Sequence, residues 1–251
     1  MKKSVLLMFA IMAMVLSGCS SDDDENNSIV LDSKEVVIYS GDKYQIEAKS
    51  DKSISYQSED EYHARVSTSG LISANKVGET NILLNNGYDS KTVKVIVKGK
   101  INLYPEPYLK WNVSKNELIK LLGKPDKESL DAITYNNYSS TAPSVIYMFN
   151  ENNTLKGVGV LVRASYSSQL GTFLAERYFA YQSQDYTIYF VNNYSPDLVS
   201  MGVGAMLYNT SYWIVAYAPF NAKTKSMQFT SEDFVKEINK NTLFHSDGVQ
   251  G

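Results

Sequence analysis

YQSEDEYHARVSTSGLISANKVGETNILL, Tyr56 to Leu84, sets apolar and polar residues in short alternating runs, and its turns fall at Ser69-Gly70 and Gly78. Ala64 and Val66, then Leu71, then Ile82 and Leu84 mark half-buried strands. Working outward, Val36 and Ile38, then Tyr44, Ile46 and Ala48, then Ile54 and Tyr56 continue the pattern upstream. Val93, Val95 and Val97 continue it downstream, with turn signals at Ser40-Gly41-Asp42 and Asn86-Gly87. Strands recurring every ten or so residues predict a small β-sandwich over residues 29–99.

The same stretch resembles the group 2 bacterial immunoglobulin-like domain. The resemblance rests on Tyr56, Ser58, Asp60, Ala64, Val66, Ser67, Gly70, Leu71, Gly78 and Ile82. Two departures stand out: a tyrosine at 56 where tryptophan is commoner, and the bulky pair Tyr62-His63 before the alanine. The resemblance implies an immunoglobulin-like fold that spaces and presents another part of the chain. Fold by itself does not set function.

Upstream, Lys2 and Lys3 precede the apolar run Val5 to Val15, the layout of a secretory signal that is too short to span a bilayer. Leu16-Ser17-Gly18-Cys19 resembles the lipobox of bacterial lipoproteins, which implies cleavage after residue 18 and acyl chains on Cys19. Each buried methylene contributes about 0.8 kcal/mol, so two or more chains hold a protein on a membrane. Residues 19–28 carry no apolar side chain after Cys19 and are expected to form a flexible acidic tether. An acidic run after the lipidated cysteine also resembles the export signal of surface lipoproteins in the Bacteroidota, with a plain solvated linker as the alternative. The expected location is therefore the outer membrane, lipid-anchored and facing outward, with a periplasm-facing anchor as the alternative.

The whole sequence has 24 basic and 27 acidic residues; removal of residues 1–18 takes two lysines and no acid, leaving 22 against 27. With no Lys/Arg cluster, this balance argues against nucleic-acid binding.

Past Gly99, Pro105 and Pro107 predict a stiff hinge over 100–111. Residues 112–241 read as an α+β domain, and 242–251 as a polar tail. Ser114-x-x-Glu117 is a capping box, Leu118, Ile119, Leu121 and Leu122 form an apolar stripe, and Gly123 with Pro125 ends the helix. Strands are expected at 132–135, 144–149 and 155–163, then a second helix at 168–178 and strands at 186–191, 201–208 and 212–218. A last helix starts near Thr230 and carries Phe234, Val235 and Ile238. The first unit resembles the helix-plus-meander repeat of β-lactamase inhibitor proteins and small outer-membrane assembly lipoproteins. That implies helices on one face of an antiparallel sheet, a tandem copy, and an open face or loops that bind another protein.

Fourteen of the 19 tyrosines lie beyond residue 100. With Trp111, Trp213 and Tyr212 they could stack sugar rings or grip a protein, although tyrosine also suits a half-exposed strand structurally. The chemistry of catalysis is thin. The two histidines, His63 and His245, have no metal-ligand spacing, and Cys19 is the one cysteine. Gly157-Val158-Gly159 and Gly202-Val203-Gly204 lack the third glycine and the helix of a dinucleotide site, and close packing is their plainer reading. Glu59, Asp60 and Glu61 could serve a hydrolase, and solvated loop carboxylates are the plainer reading.

The expected function is a non-enzymatic, membrane-anchored lipoprotein that presents a protein- or glycan-binding domain outside the cell on an immunoglobulin-like stalk. It needs no cofactor beyond the lipid on Cys19. The alternatives are a periplasm-facing assembly or inhibitor lipoprotein and a hydrolase using carboxylates.

Overall fold

Alternation in the first hundred residues resolves into nine strands in the computed structural model, which describes residues 27–241 apart from 222 and 228. The signal stretch, Cys19, the tether to residue 26, and the tail with His245 lie outside the described residues. The strands are β1 (Val30–Leu31), β2 (Glu35–Tyr39), β3 (Lys43–Gln45), β4 (Ala48–Lys49) and β5 (Ser55–Ser58). Then come β6 (Ala64–Val66), β7 (Leu71–Ala74), β8 (Gly78–Asn85) and β9 (Ser90–Lys98). One sheet has the order β2-β9-β8-β5 and the other β3-β7-β6, with β1 paired to β4. Ile72, Ile82, Leu84, Val93, Val95 and Val97 alternate inward and fill the space between the sheets. Fully burying one such side chain contributes about 1.5–3 kcal/mol, so this row alone makes a core.

The motif residues have packing roles. Gly70, at φ +82°, closes a turn, and a Cβ there would meet the Tyr56 ring at 2.9 Å. The ring fills the room the glycine leaves. Gly78 does the same for His63, whose Nδ1 lies 3.2 Å from the Lys76 carbonyl oxygen.

Beyond the sandwich, the Ser114 hydroxyl accepts the Glu117 N–H and the Glu117 carboxylate accepts the Ser114 N–H, so the capping box opens helix α1 (Lys115–Leu122). Strands β10 (Lys127–Glu128), β11 (Ala132–Asn136), β12 (Ser144–Phe149) and β13 (Leu155–Arg163) follow. Helix α2 (Ser167–Arg177) then leads into β14 (Phe179–Gln184), β15 (Thr187–Val191), β16 (Met201–Leu207) and β17 (Tyr212–Asn221). A short β18 (Ser226–Met227) and helix α3 (Ser231–Asn241) end the described chain. The order β10-β11-β12-β13-β17-β16-β15-β14 makes one antiparallel sheet, with β18 paired to β17. Each half is a helix followed by four strands, and the halves meet through their last strands.

Side-chain alternation assigns the two faces. Val145, Tyr147, Val158, Val160, Val215 and Tyr217 point toward Leu118 of α1 and Leu170, Phe173 and Leu174 of α2. Ile146, Met148, Leu161, Ile214, Ala216 and Ala218 point the other way, toward Phe229 and toward Phe234 and Ile238 of α3. The helices therefore lie on both faces, not on one. The face expected to be open is covered at its centre by α3. Four glycines make the cover fit: Phe229 sits over Gly157, Phe234 over Gly159, Met227 over Gly202, and Ser231 over Gly204. Within α1, Leu118 alone is buried, while Leu121 and Leu122 face solvent, so the apolar stripe is wider than the face it covers.

Residues 100–111 are not a free hinge. Leu103 and Tyr104 are buried in the core on the α1/α2 face, and the Tyr104 hydroxyl pairs with that of Tyr217 at 2.8 Å. The Thr141 hydroxyl donates to the Leu103 carbonyl, and the Tyr147 hydroxyl accepts the Tyr108 N–H at 3.2 Å. Prolines prevent this segment from joining a ladder, so side chains hold it instead.

The sandwich caps the end of α2. A helix leaves its last carbonyls without partners. Here Lys76 Nζ donates to the Ala175 carbonyl, Val77 N–H to that of Glu176 at 2.8 Å, and the Tyr62 hydroxyl to that of Arg177 at 2.9 Å. The Lys76 charge also suits the negative end of the helix dipole. Tyr62, one of the bulky pair that departs from the pattern the stretch resembles, is thus part of the joint between the domains. Burial holds its hydroxyl protonated far above the usual tyrosine range.

Candidate functional site

The three aromatic residues expected to bind do not form one surface. Tyr212 and Trp213 are neighbours on β17 and point to opposite faces, Tyr212 toward the α3 core and Trp213 toward the α1/α2 core. The Trp213 indole N–H donates to the Ser167 hydroxyl at 2.8 Å, and Trp111 packs against the same core from the linker side. Many other tyrosines are also structural: Tyr104, Tyr147, Tyr178 and Tyr217 are all buried, and burial pushes the Tyr147 hydroxyl up to about 12.

The loop carboxylates are occupied. Asp60 accepts the Tyr62 N–H at 2.9 Å, Glu59 accepts an amide hydrogen of Asn81 at 2.9 Å, and Glu61 lies 3.4 Å from Arg65. These contacts shape a turn. Among the described residues, no three His, Cys, Asp or Glu side chains cluster as a metal site.

Exposed rings gather instead at the outer strands of the second unit. α3 covers the middle of its face but leaves the edge strand β14 bare, with all six of its residues exposed, while Thr187 and Val191 of the neighbouring β15 are buried. Two adjoining hollows, of about 200 and 270 Å³, lie between these strands and the segment that leads into α3. They share Tyr181, Val191, Phe220 and Lys225 and so form one groove. Phe179, Tyr194, Asn193 and Pro196 line one end; Gln182, Gln184, Asp185, Tyr189 and Glu232 line the other.

The rings brace one another. Tyr181 meets Phe220 edge-on with centroids 5.9 Å apart, and Phe179 meets Tyr194 at 5.2 Å. Tyr194 continues to Tyr62 at 4.8 Å and receives the Arg65 guanidinium 5.9 Å from its centroid. The groove is thereby tied through Tyr194 to the sandwich joint. A larger hollow of about 510 Å³ beside α1 offers Tyr108 as its sole ring and is rimmed by Lys110, Lys120 and Leu121.

An apolar floor with a few polar side chains at its rim is the general form of a ligand site. Alternation in this part of the chain predicts a strand from Tyr186 and none at β14. The signal lay in FAYQSQ, residues 179–184, where rings alternate with small or amide side chains.

No family model matches the chain, and no curated protein matches it. Among solved structures, domains 5-6 of the S-layer protein SbsC align with 78% of this chain and 85% of their own, at 15% identity and a TM-score of 0.26. Human protocadherin-24 EC1-2 aligns with 76% of this chain and 92% of its own, at 8% identity and a TM-score of 0.25. Among the described residues, no helix is long and apolar enough to cross a membrane.

Proposed function

We propose that the chain is a lipid-anchored binding protein of the cell surface, in which the sandwich is a stalk and the groove beside β14 takes the ligand. The groove carries this function: it gathers exposed aromatic rings that neither core uses, on a head whose joint to the stalk is hydrogen-bonded. Cys19 supplies the anchor and the acidic residues after it the export signal. The immunoglobulin-like character of the sandwich and the likeness of the head to β-lactamase inhibitor proteins both fit a role in binding. In the head, however, α3 covers the face that those inhibitors leave open, which moves the site outward to β14.

Two measurements test this function. Protease applied to intact cells should remove the head, detected by an antibody against it, and Cys19→Ala should release the protein from membranes. Full protection of the head would leave the periplasm-facing alternative. Cells displaying the full chain should also adhere to surfaces coated with mucin or with matrix proteins, and the pair Phe179→Ala and Tyr181→Ala should reduce adhesion at least tenfold. Equal adhesion by the variant would remove the groove as the site.

A further inference from the structure

A bulge in β14 rearranges which side chains the groove receives. Ala180 pairs with Phe190 and Gln182 pairs with Tyr189, so Tyr181 is the extra residue with no partner across the ladder. Residues opposite each other on antiparallel strands share a face. Gln182 therefore joins Tyr189, and Gln184 joins Thr187, on the side where Phe179 and Tyr181 already stand. Regular alternation would have sent both glutamines to the opposite side. One inserted residue thus adds two amides to a row of rings, and re-aiming side chains in this way is a recurrent use of bulges beside sites.

The chemistry of this set selects among ligand classes. A pyranose ring presents a flat C–H face to an aromatic ring and a girdle of hydroxyls that both donate and accept. Primary amides also do both, while Asp185 and Glu232 accept. An extended peptide would instead seek the free backbone edge of β14, and the bulge at Tyr181 interrupts that edge. Asp185 and Glu232 stand at the same end of the groove with Lys225 as the single cation, so an anionic polymer meets net repulsion there.

Building on the groove as the binding site, we propose that its ligand is a neutral saccharide chain. Rings of Phe179, Tyr181 and Phe220 stack on sugar faces, and Gln182, Gln184 and Asp185 hydrogen-bond the hydroxyls. The full mature chain is run through native gels containing amylopectin, xylan, mixed-linkage β-glucan, mucin or polygalacturonate, and any hit is titrated calorimetrically. Retardation by a neutral polymer is expected, with none by polygalacturonate; retardation by mucin that is lost when its sialic acid is removed would point to an anionic ligand and overturn the assignment. Tyr181→Ala should weaken it at least tenfold and Gln182→Ala severalfold, while Tyr88→Ala, on the sandwich, should leave it unchanged. Failure of every polymer, preference for polygalacturonate, or binding indifferent to Tyr181→Ala overturns the saccharide assignment. If adhesion to matrix protein depends on Phe179 and Tyr181 while every polysaccharide fails, the ligand is a protein and the groove still stands as the site. If neither depends on them, both assignments fall.

Discussion

Gly159→Ala is expected to destabilise the head by about 1–2 kcal/mol, although it adds one methyl group to a strand. The backbone at Gly159 is not left-handed, so alanine can adopt it, and replacing glycine in a strand usually gains about 0.5–1 kcal/mol. The gain is overwhelmed because the new Cβ would lie 1.7 Å from the Phe234 ring. Either the ring is forced aside at about 1–3 kcal/mol, or Phe234 leaves its pocket and loses the 3–5 kcal/mol of a buried phenylalanine. The smaller loss wins, so α3 shifts and stays attached. Urea unfolding of the double variant with Phe234→Ala separates this from a general defect of the strand. The two changes should be non-additive by more than about 1 kcal/mol, since the added methyl then enters the cavity that the missing ring leaves. Strict additivity would sink the socket-and-ring account of how α3 is held.

Two covered faces are legible in the amino-acid sequence itself. VIYM in β12 and WIVAYA in β17 are continuous apolar runs, and a strand wet on one face alternates. Resemblance to a repeat with an open face pulled the expectation the other way. The glycines at 157, 159, 202 and 204 have the period of one strand face, which marks a surface flat enough for bulky side chains to lie on. Which side chains those would be was not readable, because Phe229 and Phe234 lie some seventy residues further along the chain from Gly157 and Gly159. The groove was harder still. A bulge has no sequence signature in FAYQSQ, and the side to which Gln182 and Gln184 turn depends on it. The joint shows a third kind of limit: Tyr62 departs from the immunoglobulin-like pattern that the stretch resembles, yet nothing local says that its hydroxyl reaches the end of a helix more than a hundred residues away.

Glu176→Ala should loosen the joint without unfolding either domain. Glu176 is 8% exposed, and its carboxylate accepts the N–H groups of Lys100 and Ile101, each at 3.1 Å. Its Oε2 also lies 3.8 Å from Arg177 Nη1. Arg177 stacks on Phe173 at 3.7 Å and keeps a second carboxylate, with Glu106 3.0 Å from Nε, close enough for the charges to pair although the N–H makes no aligned hydrogen bond. Truncation therefore leaves the arginine partnered but removes the acceptor from two backbone donors. A buried donor left unsatisfied costs about 1–3 kcal/mol, and two partly buried ones together cost about 3 kcal/mol. Since 1.4 kcal/mol is tenfold, hydrogen exchange at the amides of Lys100, Ile101 and Val77 should accelerate roughly a hundredfold. The amides of Ile82 and Val95, in the middle of the sandwich, should not change. Glu176→Gln keeps one acceptor oxygen and should fall between. Unchanged exchange at Lys100 and Ile101 would show that the carboxylate does not hold the joint. If the rate rises as expected, small-angle scattering should show a wider spread of head positions. Ligand capture by surface-displayed protein should then weaken while the groove itself still binds in solution, because a stalk presents its head only as firmly as the joint is fixed.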